Sequence, residues 1–126
     1  MGTKKTGFTL IELLVVLAIV ALLLTIAVPR YFGSLDKSKE AVLKEDLFQM
    51  RDAIGKYYGD KGKYPDSLDT LASEKYLRKI PVDPMTDSAT TWVPVAPDAE
   101  RGTDGVADVK SGSDGKTGDG TPYADL

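Results

Sequence analysis

Gly7-Phe8-Thr9-Leu10-Ile11-Glu12-Leu13-Leu14 opens an apolar run that continues to Pro29, and one carboxylate stands inside it. From Phe8 to Val28 there are 21 residues, and Glu12 is the only ionisable side chain among them. As a helix this stretch reaches about 32 Å, at about 1.5 Å per residue, and a bilayer core is about 30 Å thick. A secretory signal peptide has a shorter apolar region, about 7–15 residues, followed by a small-residue cleavage site. Here the run is longer, and Pro29-Arg30-Tyr31 follows it. Length therefore reads as a single membrane anchor. Lys4 and Lys5 precede it, which predicts a cytoplasmic N-terminus and a translocated remainder. None of this explains Glu12. An ionised carboxylate in hydrocarbon costs on the order of 2.5–3.5 kcal/mol on insertion scales, and such residues are commonly paired and functional.

The bulk composition narrows what the rest can do. The chain has 126 residues, and the anchor leaves room for one small domain. Cysteine and histidine are both absent. That excludes disulfides, thiolate metal sites and a cysteine nucleophile, and it removes the usual general base near neutral pH. Net charge is -3, and from Asp98 onward seven acidic side chains face three basic ones. Phosphate recognition wants a basic face, so no nucleic-acid partner is expected.

The junction carries a family resemblance. The seven-residue basic leader Met1–Gly7, the Gly7-Phe8 step, Glu12 five residues into the segment that starts at Phe8, and Pro29 at its twenty-second position resemble the signal of type IV prepilins and type II secretion pseudopilins. The resemblance implies that a prepilin peptidase cuts after Gly7 and that Phe8 becomes the N-methylated terminus. It implies that Glu12 of one subunit neutralises the Phe8 amine of its neighbour during assembly. Glycine at the cut lets an extended backbone enter a protease cleft closely. A buried pair sets register more reliably than it adds stability, and removing one partner is the costly event. The plain alternative is a generic anchor with a chance glutamate.

Beyond the anchor, Pro29 lacks an N–H, so a helix should kink or loosen there, and Gly33 weakens the same region. The reading carried forward is a continuous helix with a soft segment; the alternative is a helix end at the membrane surface. Leu43, Leu47, Met50, Ile54 and Tyr57 recur at steps of four and three, one apolar stripe of a helix. The charges between them, with Glu40 and Lys44 at a favourable four-residue spacing, read as a solvated face. The helix is expected to stop near Tyr58-Gly59, with Gly59 and Gly62 as terminators. Asp66 or Ser67 is a candidate cap for a short helix through Ala72. Pro81 and Pro84 force an extended path. Thr90–Val95 and Val106–Lys110 read as short strands, separated by a polar loop over Pro97–Gly105. The expected fold is α+β, pilin-like: a cleaved leader at 1–7, a membrane and assembly helix at 8–28, and a periplasmic head at 29–126 into which the helix continues.

The last sixteen residues are rich in glycine, serine and aspartate. By composition they read as a flexible end, yet they hold the oxygens and glycines of a calcium loop. Gly112-Ser113-Asp114-Gly115-Lys116 and Ala124-Asp125-Leu126 are similar to the calcium loop that closes major pseudopilins. That resemblance implies Ca²⁺ as a structural ion, with Asp114 and Asp125 as ligands, Asp119 from an intervening loop whose acidic spacing differs from theirs, and Ser111 through its carbonyl. Gly62-Lys63-Tyr64-Pro65 and Tyr76–Pro84 resemble the same proteins. The implied function is a structural, non-enzymatic subunit of a type II secretion pseudopilus, moving folded proteins from the periplasm across the outer membrane. Its implied partners are copies of itself, minor pseudopilins, the prepilin peptidase, an inner-membrane assembly platform and, before assembly, membrane lipid. The alternative is a type IV pilin for adhesion, motility or DNA uptake; many of these carry a C-terminal disulfide loop, which a chain without cysteine does not have. A tethered enzyme finds no catalytic constellation to rest on.

Overall fold

The computed structural model describes residues 7–98, 100 and 104–126. Residues 1–6 of the leader, with Lys4 and Lys5, and residues 99 and 101–103 of the expected loop lie outside the described residues. The secondary structure runs α1 (Leu10–Lys61), α2 (Leu68–Ser73), β1 (Val93–Val95), β2 (Asp108–Lys110) and a closing 3-10 turn (Tyr123–Asp125). The chain divides into two compact units, one ending at Asp36 and one running from Lys37 to Leu126.

In the first unit the helix starts two residues after Phe8 and passes through Pro29 without a break. A proline costs a helix one hydrogen bond, here to the Thr25 carbonyl, and the helix continues on both sides of it despite Gly33 one turn later. The Thr25 hydroxyl donates to the Ala21 carbonyl at 2.7 Å, a local back-bond one turn before the proline. The apolar side chains from Phe8 to Phe32 are exposed. By length and composition α1 is suited to cross a membrane.

In the second unit the expected stripe is the core. Leu43, Leu47, Met50, Ile54 and Tyr57 are buried, joined by Ala53. Onto them fold Leu71 of α2, Trp92, Val106, Val109 and Tyr123. The helix ends at Lys61, three residues beyond the expected Tyr58. Gly59 stays inside it, while Gly62, with φ +70° and its N–H bonded to the Tyr58 carbonyl, terminates it. Ser67 precedes α2, but its side chain makes no capping bond to the backbone. The strands are shorter than their β-prone sequences suggest. They pair antiparallel as Val93↔Lys110, Pro94↔Val109 and Val95↔Asp108. Pro94 has no N–H to donate, which limits how far such a ladder can extend. Between α2 and β1 the proline-rich connector is tied down by Trp92, whose indole N–H donates to the Pro81 carbonyl at 2.8 Å.

Candidate functional site

Two stretches carry the expected functional residues, and each belongs to one unit. In the first unit, Gly7, Phe8 and Thr9 precede the helix in irregular backbone. A side chain at Gly7 would meet nothing within 4 Å, and Phe8 is 84% exposed. The Gly7–Phe8 bond therefore sits in open, non-helical chain, the form a protease cleft accepts. Thr9 caps the helix: its Oγ1 accepts the Glu12 N–H at 3.2 Å, and the Leu13 N–H donates to the Thr9 carbonyl at 3.1 Å. The pattern Thr-x-x-Glu is a capping-box signature legible in the sequence, and it gives Glu12 a role at the helix start. A carboxylate in the first helical turn also faces the positive end of the helix dipole. Phe8, Ile11, Glu12, Val15 and Val16 line one shallow surface hollow, so Glu12 and the side chain of Phe8 share a face.

In the second unit the C-terminal segment is folded, which overturns the reading of a flexible end. Its root is Ser111, 2% exposed, whose hydroxyl donates to Asp83 Oδ2 at 2.6 Å. Asp83 is fully buried, and its Oδ1 accepts the Met85 N–H at 2.8 Å. Serine hydroxyls then step the chain forward: the Ser113 N–H donates to Ser111 Oγ and the Gly115 N–H to Ser113 Oγ. Gly112 passes so close to the Thr91 carbonyl oxygen that a Cβ would lie 2.0 Å from it, so no other residue fits without moving backbone. The segment then doubles back. Lys116 bridges to Pro122, and the Tyr123 N–H donates to the Gly115 carbonyl at 3.0 Å. Tyr123 enters the core at 8% exposure, because the doubling back turns its ring onto α1.

Long-range polar contacts tie this segment to α1. Glu40 was expected on a solvated face opposite Lys44. Instead its Oε1 accepts from the Gly118 N–H at 3.2 Å and from the Tyr123 hydroxyl at 3.4 Å. Arg51, also expected among solvated charges, is a clasp. Its Nε donates to Asp108 Oδ1 at 2.8 Å, and one of its terminal nitrogens donates to the main-chain oxygens of Val109 at 3.0 Å and Leu126 at 2.6 Å. Burial raises the pKa of the Asp46 carboxyl, and the charges of Asp83 and Glu45 push it the same way.

The proposed metal ligands divide by what they already do. Asp119 accepts from the Thr117 hydroxyl and from the Thr121 N–H at 3.2 Å. The Thr117 hydroxyl bond, followed by those around Thr121, lowers the pKa of its carboxyl below the ordinary value. The Ser111 hydroxyl is committed to Asp83. Asp114 and Asp125 are exposed, and their carboxylates make no hydrogen bond or ion pair among the described residues. No three Asp or Glu side chains converge on one point among the described residues. The donors are all hard oxygens, which suit Ca²⁺ in kind. A six- to eight-oxygen shell here would combine two carboxylates with carbonyls and water rather than a carboxylate cluster.

Comparison with known proteins bears on the family of the chain. Residues 2–28 match the family model described as the prokaryotic N-terminal methylation motif. The type II secretion system core protein G of Pseudomonas aeruginosa is 31% identical, over 98% of this chain and 94% of that protein. The protein of the same name from Vibrio cholerae is 27% identical, over 98% of this chain and 90% of its own length. The type IV major pilin protein PilE1 of Neisseria gonorrhoeae is 33% identical, over 71% of this chain and 54% of the pilin. No solved structure matches.

Proposed function

The chain belongs to the family of the type II secretion system core protein G, and on that premise we propose that it is the repeating structural subunit of a type II secretion pseudopilus. The observation that carries this is the match over nearly the whole length of the relative, head as well as anchor. The shared anchor motif alone would fit a pilin equally well.

The N-terminal segment inserts in the bacterial inner membrane with its head in the periplasm, as Lys4 and Lys5 ahead of the apolar run favour. The prepilin peptidase cuts between Gly7 and Phe8 and methylates the Phe8 amine. Leaving the bilayer for a bundle of neighbouring helices, Glu12 then pairs with the Phe8 amine of the next subunit. Exposed apolar side chains from Leu10 to Phe32 become the packing surface of that bundle. The chain supplies packing and surface, not catalysis. Energy comes from elsewhere, through the inner-membrane assembly platform, and minor pseudopilins complete the filament.

Ca²⁺ bound by Asp114 and Asp125, with the Ser111 carbonyl and Asp119 as further donors, would staple the C-terminal segment. The carboxylates of Asp114 and Asp125, which have no hydrogen-bond or ion-pair partner among the described residues, support this reading. The segment's own hydrogen bonds already hold the backbone near a closed loop, so the ion adds stability rather than fold.

Deleting the coding sequence in the bacterium that carries it tests the proposal. Accumulation of folded exoproteins in the periplasm, reversed by the restored gene, is the expected result. Unchanged secretion with loss of surface pili would replace it with the pilin reading.

A further inference from the structure

A filament needs its subunits to touch, and the second unit carries two surfaces that answer each other. The first is a knob. Phe48 stands on α1 with 65% of its surface exposed. Its neighbour Leu47 faces the core, and the helical turn sends Phe48 away from it. On one side of Phe48 lies a hollow lined by Lys44, Arg51 and Leu126. On the other lies one lined by Val42, Val82, Arg78 and Lys79. Val42 and Val82 are themselves half exposed, so the ring crowns an apolar patch. Removing such an apolar ring from water is favourable, and within one copy Phe48 stays largely exposed.

The second surface is a hole. Leu68, Ile80, Trp92 and Pro94 line an apolar hollow, with Asp66 and Asp69 on its wall. It shares no lining residue with either hollow beside Phe48. Arg78 and Lys79 stand beside the knob and Asp66 and Asp69 on the hole, an opposite-charge match; Asp46 and Asp52 also line the hollow beside Phe48, and Asp52 is paired with Lys56. None of Arg78, Lys79, Asp66 and Asp69 is in an ion pair among the described residues.

We propose that Phe48 of one copy of this chain seats in the Leu68–Trp92 hollow of a second copy, with Arg78 and Lys79 opposite Asp66 and Asp69. This contact rests on the filament reading above. A contact between two different surfaces is heterologous, and it propagates as an open helix unless its rotation happens to close a ring. That is the symmetry a filament requires. A large side chain seated in a well-packed pocket, with rim contacts that exclude water, is how binding hot spots are built.

The chain has no cysteine, so introduced pairs report contacts without background. Gln49→Cys beside the knob and Ala89→Cys in the hollow would be placed in the full-length chain and oxidised in cells that assemble filaments. The double variant should give a ladder of multiples of the monomer, and each single variant only monomer. Adding Phe48→Ala should cut the ladder about tenfold. Arg78→Asp with Lys79→Asp should do the same, and Asp66→Lys with Asp69→Lys should restore it. A dimer from Gln49→Cys alone would show a self-facing contact and overturn the proposal. Filaments visible by electron microscopy without a ladder would overturn it and leave the filament role standing. Absence of filaments from the unmodified chain would overturn both.

Discussion

The Ser111 hydroxyl donates to Oδ2 of the fully buried Asp83 at 2.6 Å, across 28 residues of sequence. One oxygen of Asp83 thus holds the root of the C-terminal segment, and the other holds the Met85 N–H of its own turn. A buried carboxylate needs hydrogen-bond donors, and these two bonds give each Asp83 oxygen one; no ion pair reaches it among the described residues. Asp83→Ala should destabilise the head by about 2–3 kcal/mol, since it strips a buried hydroxyl and an N–H of their acceptor. Ser111→Ala should cost about as much, because it leaves the carboxylate short of a donor. In the double variant the losses should be less than additive, a coupling read from denaturant melts of the detergent-solubilised chain.

Arg51 reaches β2 and the end of the chain at once. Arg51→Met keeps the aliphatic stem and removes every donor. The ion pair to Asp108 is more than a third exposed, so solvent and salt screen it. A loss of about 1–2 kcal/mol is expected, with faster amide exchange concentrated in residues 108–126. Exchange spread evenly over α1 as well would refute the clasp.

Tyr76 donates to Asp60 Oδ2 at 2.7 Å, and that bond, with burial and the nearby carboxylates, pushes its pKa up to about 12 from the usual 10. A raised folded-state pKa stabilises the fold fully below pH 10, and the benefit disappears as pH rises through about 12. Ultraviolet titration should show Tyr76 ionising late, and Tyr57, raised by burial and by Glu74, contributes to the same late phase. Asp60→Asn should lower the Tyr76 ionisation and leave the Tyr57 contribution in place.

Glu12→Ala should still insert and still be cut after Gly7. The bond from residue 12 to Thr9 Oγ1 comes from the backbone, so the helix start survives the substitution. Filament yield should fall sharply, because the Phe8 amine would then enter the bundle without a counter-charge. Normal yield would refute the pairing.

Calcium at one hundred times its dissociation constant adds about 2.7 kcal/mol to the state that binds it. For a head of this size that corresponds to a rise of roughly 10–20 °C in melting temperature over chelator. Asp114→Asn or Asp125→Asn should remove the rise. Asp119→Asn is not diagnostic, since it also breaks the acceptor of Thr117 and Thr121. A melting temperature indifferent to calcium in the unmodified chain would refute the ion.

What the sequence determined by itself is what depends on near neighbours. An apolar run of bilayer length, a proline, a stripe at helical spacing and the Gly7-Phe8 step with Glu12 behind it are each complete within a few residues. The long helix, its buried face and the family follow from them. The Thr9 cap on Glu12 was missed, although its Thr-x-x-Glu signal is equally local. Arg51, Glu40 and Asp83 looked like ordinary surface or connector charges because their partners lie 28 to 83 residues away. No local pattern distinguishes an arginine that faces water from one that faces a returning strand. Only the tertiary structure decided that a glycine-rich end turns back, buries Tyr123 and spends its polar groups on α1. The physical reason is that a polar side chain takes whatever donor or acceptor the packed chain brings within about 3 Å, and that is settled by where the apolar core pulls the backbone.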